Sequence, residues 1–216
     1  MKKILFLMSF SALMSTCKLE NDLIPLTDLS FAQSEMQKNQ GRSSWQKPHL
    51  VINKLGDISD KTIADIGAGT GFFSFRLAMK AKKIISTDID STMIELIELQ
   101  KENLPTEISA KIESRLVLPT DPGLLHDETD IVVIINTITF IANPNQYLNR
   151  LHDICKLGTK ILVVDFKKIA VNMPAPPIEE RFEAQEVAQL LSDAGFVINE
   201  IDESTLDYQY IITAEK

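Results

Sequence analysis

Residues 62–75 read TIADIGAGTGFFSF: a short apolar run, an acid at its end, three glycines alternating with small residues, and an aromatic stretch of helical character. This order predicts a strand at 62–65, a tight strand-to-helix turn, and a helix over 70–80. Gly67, Gly69 and Gly71 let the backbone of the turn approach a ligand closely, and the helix behind them offers free N–H groups and a positive dipole end. A dinucleotide fingerprint has the spacing G-x-G-x-x-G. Here the spacing is G-x-G-x-G, and Phe72 stands where a third dinucleotide glycine would be.

Outward from this stretch, strand and helix patterns alternate. A second strand at 83–87 ends at Asp88, seventeen residues after Gly71, where a carboxylate can accept both hydroxyls of a ribose. The helix expected at 92–103 opens with Thr92 and Glu95 at capping-box spacing and stops before Pro105. IVVII at 131–135 is β-branched throughout, as in a strand buried on both faces of a parallel sheet. A helix at 143–156, a buried strand at 160–165 (KILVVD) and a helix at 180–194 ended by Gly195 follow. The last two strands, at 196–201 and 208–213, flank the polar turn DESTLD with no room for a crossover helix, so they pair as an antiparallel hairpin. The fold class is therefore α/β: a doubly wound, Rossmann-like sheet, mostly parallel, with a C-terminal antiparallel β-hairpin.

On these residues the sequence resembles the class I S-adenosylmethionine-dependent methyltransferases over residues 41–216. DIGAGTG (65–71) matches their first motif, DIDSTM (88–93) their second, and the terminal hairpin their extra antiparallel strand. It is also similar to a subgroup in which R-x-x-W-Q-x-P precedes the fold and V-D-F-K follows its fourth helix. Arg42, Trp45, Gln46 and Pro48 match the first pattern, and Asp165, Phe166 and Lys167 the second. The resemblance implies S-adenosylmethionine as cofactor. It places Asp65, Gly67, Ala68, Gly69 and Gly71 on its methionine half, Asp88 on the ribose hydroxyls, and Ile89 and Met93 on either side of the adenine. Asp121, in LPTDPG, is the implied neighbour of the adenine amino group, its alternative being a turn-forming aspartate before Pro122. Asn136, Thr137 and Thr139, at the end of the fourth strand, are the implied catalytic residues lining the acceptor, with Asn136 also shaping the cofactor pocket.

Methyl transfer from a sulfonium is an in-line displacement at an activated carbon, so alignment and a dry pocket matter more than a base. The subgroup's Tyr-His-His triplet is replaced here by Ile138-Thr139-Phe140, which removes its imidazole. The D/N-P-P-Y/F motif of amino-methylating nucleic-acid enzymes is absent, and Cys155 lies too far along a helix to be a nucleophile. A small, already nucleophilic acceptor follows: an ionised phenol, thiol or enolate. The competing functions are an envelope protein that binds S-adenosylmethionine or S-adenosylhomocysteine without turnover, and an NAD-dependent oxidoreductase; the missing third glycine and the hairpin weigh against the latter.

Composition sets the outer limits. The 216 residues, 44% of them hydrophobic, suit one α/β domain. With 22 Lys and Arg against 30 Asp and Glu, a net charge of −8 and no basic cluster, the chain is not a nucleic-acid binder. His49, His126 and His152 are scattered, and no spacing suggests a metal site.

Lys2 and Lys3 precede an apolar run at 4–14 broken only by Ser9 and Ser11, too short to span a bilayer but suited to a signal peptide. Ser15 and Thr16 before Cys17 resemble a bacterial lipoprotein box. The expected organisation is a signal peptide at 1–16, a lipidated Cys17 with a polar tether and arm at 17–40, and the methyltransferase domain at 41–216. The protein is then an exported, membrane-anchored lipoprotein, the alternative being a soluble secreted or periplasmic protein. Cys17 and Cys155 are the two cysteines, so no disulfide framework forms.

Overall fold

A computed structural model describes residues 34–37 and 39–216, and the signal-peptide and lipidation expectations at 1–17 lie outside them. The arm contributes α1 (Arg42–Gln46) and α2 (Pro48–Asn53). Then follow β1 (Thr62–Ile66), α3 (Phe72–Ala78), β2 (Lys83–Asp88), α4 (Ser91–Lys101), α5 (Thr106–Ser109) and β3 (Ile112–Leu116). The second half comprises β4 (Ile131–Ile135), α6 (Pro144–Ile154), β5 (Lys160–Phe166), α7 (Ala184–Asp193), β6 (Val197–Asp202) and β7 (Gln209–Glu215). Short 3-10 turns at Ile138–Phe140 and Ile178–Glu180 follow β4 and precede α7.

The strands form one sheet in the order β3-β2-β1-β4-β5-β7-β6. β1 to β5 are parallel, and β7 enters antiparallel between β5 and β6. The strand order reverses between β1 and β4, the place where an open α/β sheet leaves a crevice at the carboxyl ends of its strands. The terminal hairpin is as expected.

Alternation along the strands sorts the core into two layers. Ile63, Val133, Leu162 and Val164 pack toward α2 and α3, against Val51, Ile52, Phe73 and Leu77. Ala64, Val132, Ile134 and Val163 pack toward α6 and α7, against Leu148, Leu151, Val187 and Leu191. Both faces of β4 are dry, which is why its sequence is a continuous β-branched run.

Two helix starts differ from the sequence expectation. The Asp90 side chain accepts the Thr92 N–H (2.9 Å), so Asp90 caps α4 and the Thr92–Glu95 box does not form. An aspartate two residues ahead reaches the same orphan donor first. α7 begins at Ala184 rather than at 180, because the chain after Pro176 and Pro177 makes a 3-10 turn, and Glu183 with Glu186 then forms the capping box.

Ile134 is fully buried at the centre of β4. Ile134→Ala should lower the unfolding free energy by about 2–5 kcal/mol in chemical denaturation; a change below about 1 kcal/mol would mean that the layer can collapse around the loss.

Candidate functional site

The turn after β1 is tied to β2 before it meets any ligand. The Gly67 and Ala68 N–H groups both donate to the Thr87 carbonyl (2.9 and 3.0 Å), and Gly69 N–H donates to Asp88 Oδ2 (2.8 Å). Asp88 Oδ1 accepts from Asp90 N–H (3.0 Å), so one carboxylate holds both motif loops at the sheet edge. Gly67 has φ 68°, and a Cβ there would overlap the Thr137 side chain. Only glycine satisfies both conditions.

Asp65 is 2% exposed beneath this turn. Ser74 Oγ donates to its Oδ2 (2.6 Å), and Ser86 Oγ donates to Ser74 Oγ (2.8 Å), linking β1, α3 and β2 through polar atoms. Burial pushes its carboxyl up to about 6; Ser74 and the Arg42 charge pull the other way, and Asp88 adds to the rise.

Across the crevice, β4 ends at Asn136, whose φ of 58° is the left-handed region that asparagine tolerates better than most residues. Its N–H still reaches the Val164 carbonyl of β5 (2.8 Å). Thr137 Oγ1 donates to the Ile135 carbonyl (3.1 Å) and lies 3.4 Å from that of Gly67. The arm closes the third side. Arg42 Nε donates to Gln46 Oε1 (2.5 Å), and Gln46 Nε2 donates to Gln209 Oε1 (2.9 Å) and Asn136 Oδ1 (3.3 Å). Gln209 Nε2 donates to the same Asn136 oxygen (2.5 Å). Trp45 rests on Phe166 with ring centroids 5.6 Å apart, and the Arg42 guanidinium lies 4.4 Å over Phe72. Burial pulls the Arg42 guanidinium down to about 10, partly opposed by Asp65.

These walls enclose three adjoining cavities. One of about 250 Å³ has Asp88 and the apolar faces of Ile89, Leu118 and Phe140. A second, of about 390 Å³, is bounded by Arg42, Asp65, Gly67 and Gly69. A third, of about 200 Å³, lies between Asn39, Trp45, Met93 and Pro174. Asn136 lines all three.

The expected residues thus fall together with few exceptions: Asp65, Gly67, Ala68, Gly69, Asp88, Ile89, Met93, Asn136 and Thr137 border the cavities. Gly71 lies behind them at the start of α3. Thr139 stands apart from the cavities, beside the Asp165 carboxylate. Asp121 also lies apart. Its carboxylate accepts from Gly123 N–H (2.9 Å) and Arg150 (2.6 Å) beside a separate groove, which is the turn-forming alternative. Nearby charged and aromatic-facing side chains have structural partners. Arg181 donates to the carbonyls of Pro176, Lys167 and Ile169 and so pins the proline loop, while Lys167 Nζ holds the β6–β7 turn through the carbonyls of Glu203, Leu206 and Asp207. His152 packs edge-on against Phe196. Among the described residues no cluster could hold a metal ion. Gln209, fully buried in the site, went unnoticed in the sequence, although a glutamine opening an otherwise apolar strand is a signal of a polar partner.

Asp165, 1% exposed at the end of β5, titrates near the site. Burial pushes it up to about 6 despite the Phe166 N–H (2.7 Å) and the neighbouring Thr139 and Arg181. Thr139 lies against this carboxylate, and the Tyr210 hydroxyl completes no hydrogen bond among the described residues. A carboxyl whose folded pKa is raised contributes stability below its unfolded pKa and loses it as pH rises through about 6. Relative to wild type, Asp165→Asn should therefore gain about 1–3 kcal/mol between pH values of about 4 and 7.5, read by urea unfolding at both. A pH-independent difference would place the Asp165 pKa at its ordinary value.

A model of the methyltransferase domain matches residues 57–210. Ribosomal RNA small subunit methyltransferase A of Koribacter versatilis is 29% identical over 137 residues, covering 59% of this chain and 47% of that protein. Magnesium-protoporphyrin O-methyltransferase of Rhodobacter capsulatus is 27% identical over 97 residues, covering 44% and 41%. The chain spans less than half the length of these relatives. A SAM-dependent methyltransferase from Aquifex aeolicus superposes with a TM-score of 0.76 at 21% identity, over 86% of this chain and 96% of that one. The [4+2]-cyclase SpnF does so at 0.67 and 15%, over 81% and 82%. At such identities the likeness is one of fold.

The residues present fit the cofactor of that fold. A carboxylate at the end of β2 suits ribose hydroxyls, Ile89 and Leu118 offer apolar surface to a purine, and Arg42 beside the glycine turn suits a carboxylate. With the family model covering residues 57–210, the chain belongs to the methyltransferase-domain family and has the class I fold.

Proposed function

We propose that the domain transfers a methyl group from S-adenosylmethionine to a small-molecule acceptor held against the end of β4. The observation that carries this reading is the meeting of three cavities at Asn136, with the ribose-type acid Asp88 bordering one and both Arg42 and Asp65 bordering the next. In it, Asp88 holds the ribose, Ile89 and Leu118 in the same cavity enclose the adenine, Met93 lines the neighbouring cavity instead, and the glycine turn with Arg42 holds the methionine end. The bound cofactor supplies a methyl group already activated by its sulfonium. The protein's part is to orient the acceptor and exclude water. Asn136 and Thr137 are neutral, so the acceptor arrives as a nucleophile. Five relatives' names include ribosomal RNA, tRNA or RNA. The net charge of −8 and cavities of a few hundred Å³ favour a small acceptor instead.

Asp88→Ala should weaken S-adenosylhomocysteine binding by about 1.5–3 kcal/mol in calorimetry, through lost charge-assisted hydrogen bonds to the ribose. Unchanged affinity would remove Asp88 from the site. Transfer of labelled methyl to a metabolite panel tests turnover itself; tight binding with no transfer to any acceptor would favour a binding protein.

We also infer, from Lys2, Lys3, the apolar run at 4–14 and the Ser-Thr-Cys ending, that Cys17 is lipidated and anchors the domain to a membrane. Cys17→Ala should then leave the chain soluble or unprocessed. The intact mass of membrane-extracted protein is decisive, since residues 1–16 still attached to a free thiol would contradict it.

A further inference from the structure

Which end of the Asn136 amide faces the cavities is decided by a run of hydrogen bonds that begins at a guanidinium. A guanidinium has donors and no acceptor, so the Gln46 atom facing Arg42 Nε must be its oxygen. The Gln46 nitrogen is thereby turned to the other side, where it donates to Gln209 Oε1 and Asn136 Oδ1. With the Gln209 oxygen taken, its nitrogen also donates to Asn136 Oδ1. That oxygen now has a donor for each of its two lone pairs. Asn136 Nδ2 is left with two N–H groups and no partner among the described residues, on the one side chain that borders all three cavities.

The geometry points to Asn136 as a donor that holds an oxygen of the methyl acceptor, and hence to an ionised hydroxyl or a carboxylate, rather than an amine, as the group methylated. This rests on the methyl-transfer reading above and narrows it. An oxyanion can accept one N–H and keep a second lone pair for attack. That pair forms the new O–C bond as the S–C bond breaks and its electrons return to sulfur, so an oxyanion and a sulfonium become a methyl ether or ester and a thioether, with no proton left to remove. An amine at the same point would set N–H against N–H, and the Asn136 oxygen that would accept from it is occupied. The methionine carboxylate has a cation of its own in Arg42, which borders the second cavity. Gln46, Gln209 and Arg42 act through Asn136 and are positioning residues.

The test uses protein loaded with S-adenosylhomocysteine, titrated at about pH 8 with 4-nitrophenolate, benzoate and benzylamine, so that the oxyanions and the ammonium are charged as intended. Binding is followed by calorimetry and by the side-chain N–H resonances of Asn136. At least one oxyanion should bind and move those resonances downfield, and benzylamine should not. Asn136→Asp keeps an oxygen for the two glutamines and replaces the cavity-facing N–H groups with a second oxygen. It should lower oxyanion affinity about tenfold or more and make benzylamine the better ligand, with S-adenosylhomocysteine affinity held within about threefold. Should that variant fail to fold, Gln46→Glu, which keeps the Arg42 contact but cannot donate onward, should lose the oxyanion preference in the same way. The inference is overturned if benzylamine moves the wild-type resonances, if neither oxyanion does, or if Asn136→Asp loses S-adenosylhomocysteine and oxyanion in parallel. Failure of the wild type to bind S-adenosylhomocysteine at all would instead overturn the cofactor reading beneath it.

Discussion

The close pass of Gly67 against Thr137 is the constraint on which the rest of the site depends. β1 and β4 are neighbours at the reversal of strand order, and their connections leave the sheet in opposite directions, one toward β2 and the other toward β5. The crevice closes at its base only because residue 67 lacks a side chain that would fall on Thr137. With that contact made, the Gly67 and Ala68 N–H groups reach Thr87, and Gly69 reaches Asp88. The ribose-type acid and Asn136 are thereby fixed on opposite walls of one opening.

Below that edge the sheet is held by its backbone ladders and by apolar burial on both faces; at the edge, polar side chains decide the arrangement. Gln46 and Gln209 are fully buried, and each hydrogen bond between them and Asn136 contributes only about 1 kcal/mol net. Their value lies in direction: each buried amide that loses a partner costs more than the bond supplied, so the network has one satisfied arrangement. It joins the arm, β4 and β7, segments 90 and 163 residues apart from Gln46. The Lys47–Asp207 pair at the rim, with Asp207 62% exposed, adds little by comparison.

Much of this was legible in the sequence because local patterns carry it. Alternation of apolar runs with helical stretches gave the layers, the β-branched run at 131–135 its central place, and the G-x-G-x-G turn with Asp88 one wall of the site. What was not legible depends on contacts between distant residues. Nothing near Gln209 indicates that it meets Gln46, because the meeting is made by β7 entering between β5 and β6. Asp121 had two readings of similar merit until Arg150, on α6, was seen to lie beside it. The Thr92–Glu95 spacing suggested a cap, yet Asp90 is closer to the same N–H, and a local rule cannot rank two candidates for one donor.

Every large pKa displacement beside the crevice has the same leading cause. Asp65 and Asp165 rise to about 6, Arg42 falls to about 10, and the Tyr147 and Tyr210 hydroxyls are raised, each chiefly because burial disfavours its charged form. Around these buried groups charges interact more strongly than in water, whereas the outer wall of the first cavity, at Ile89, Leu118 and Phe140, is open to solvent. Transfer of a methyl group from a sulfonium to an oxyanion removes one charge of each sign, so its transition state is less charged than its reactants. Water holds separated charges better than the partly neutralised pair and so opposes that change. In the proposed reaction, bound cofactor and acceptor would displace that water while the Asn136 amide holds the oxygen in line. In the reaction proposed above, the neutral side chains of Asn136 and Thr137 have only to align an already ionised oxygen with the methyl group.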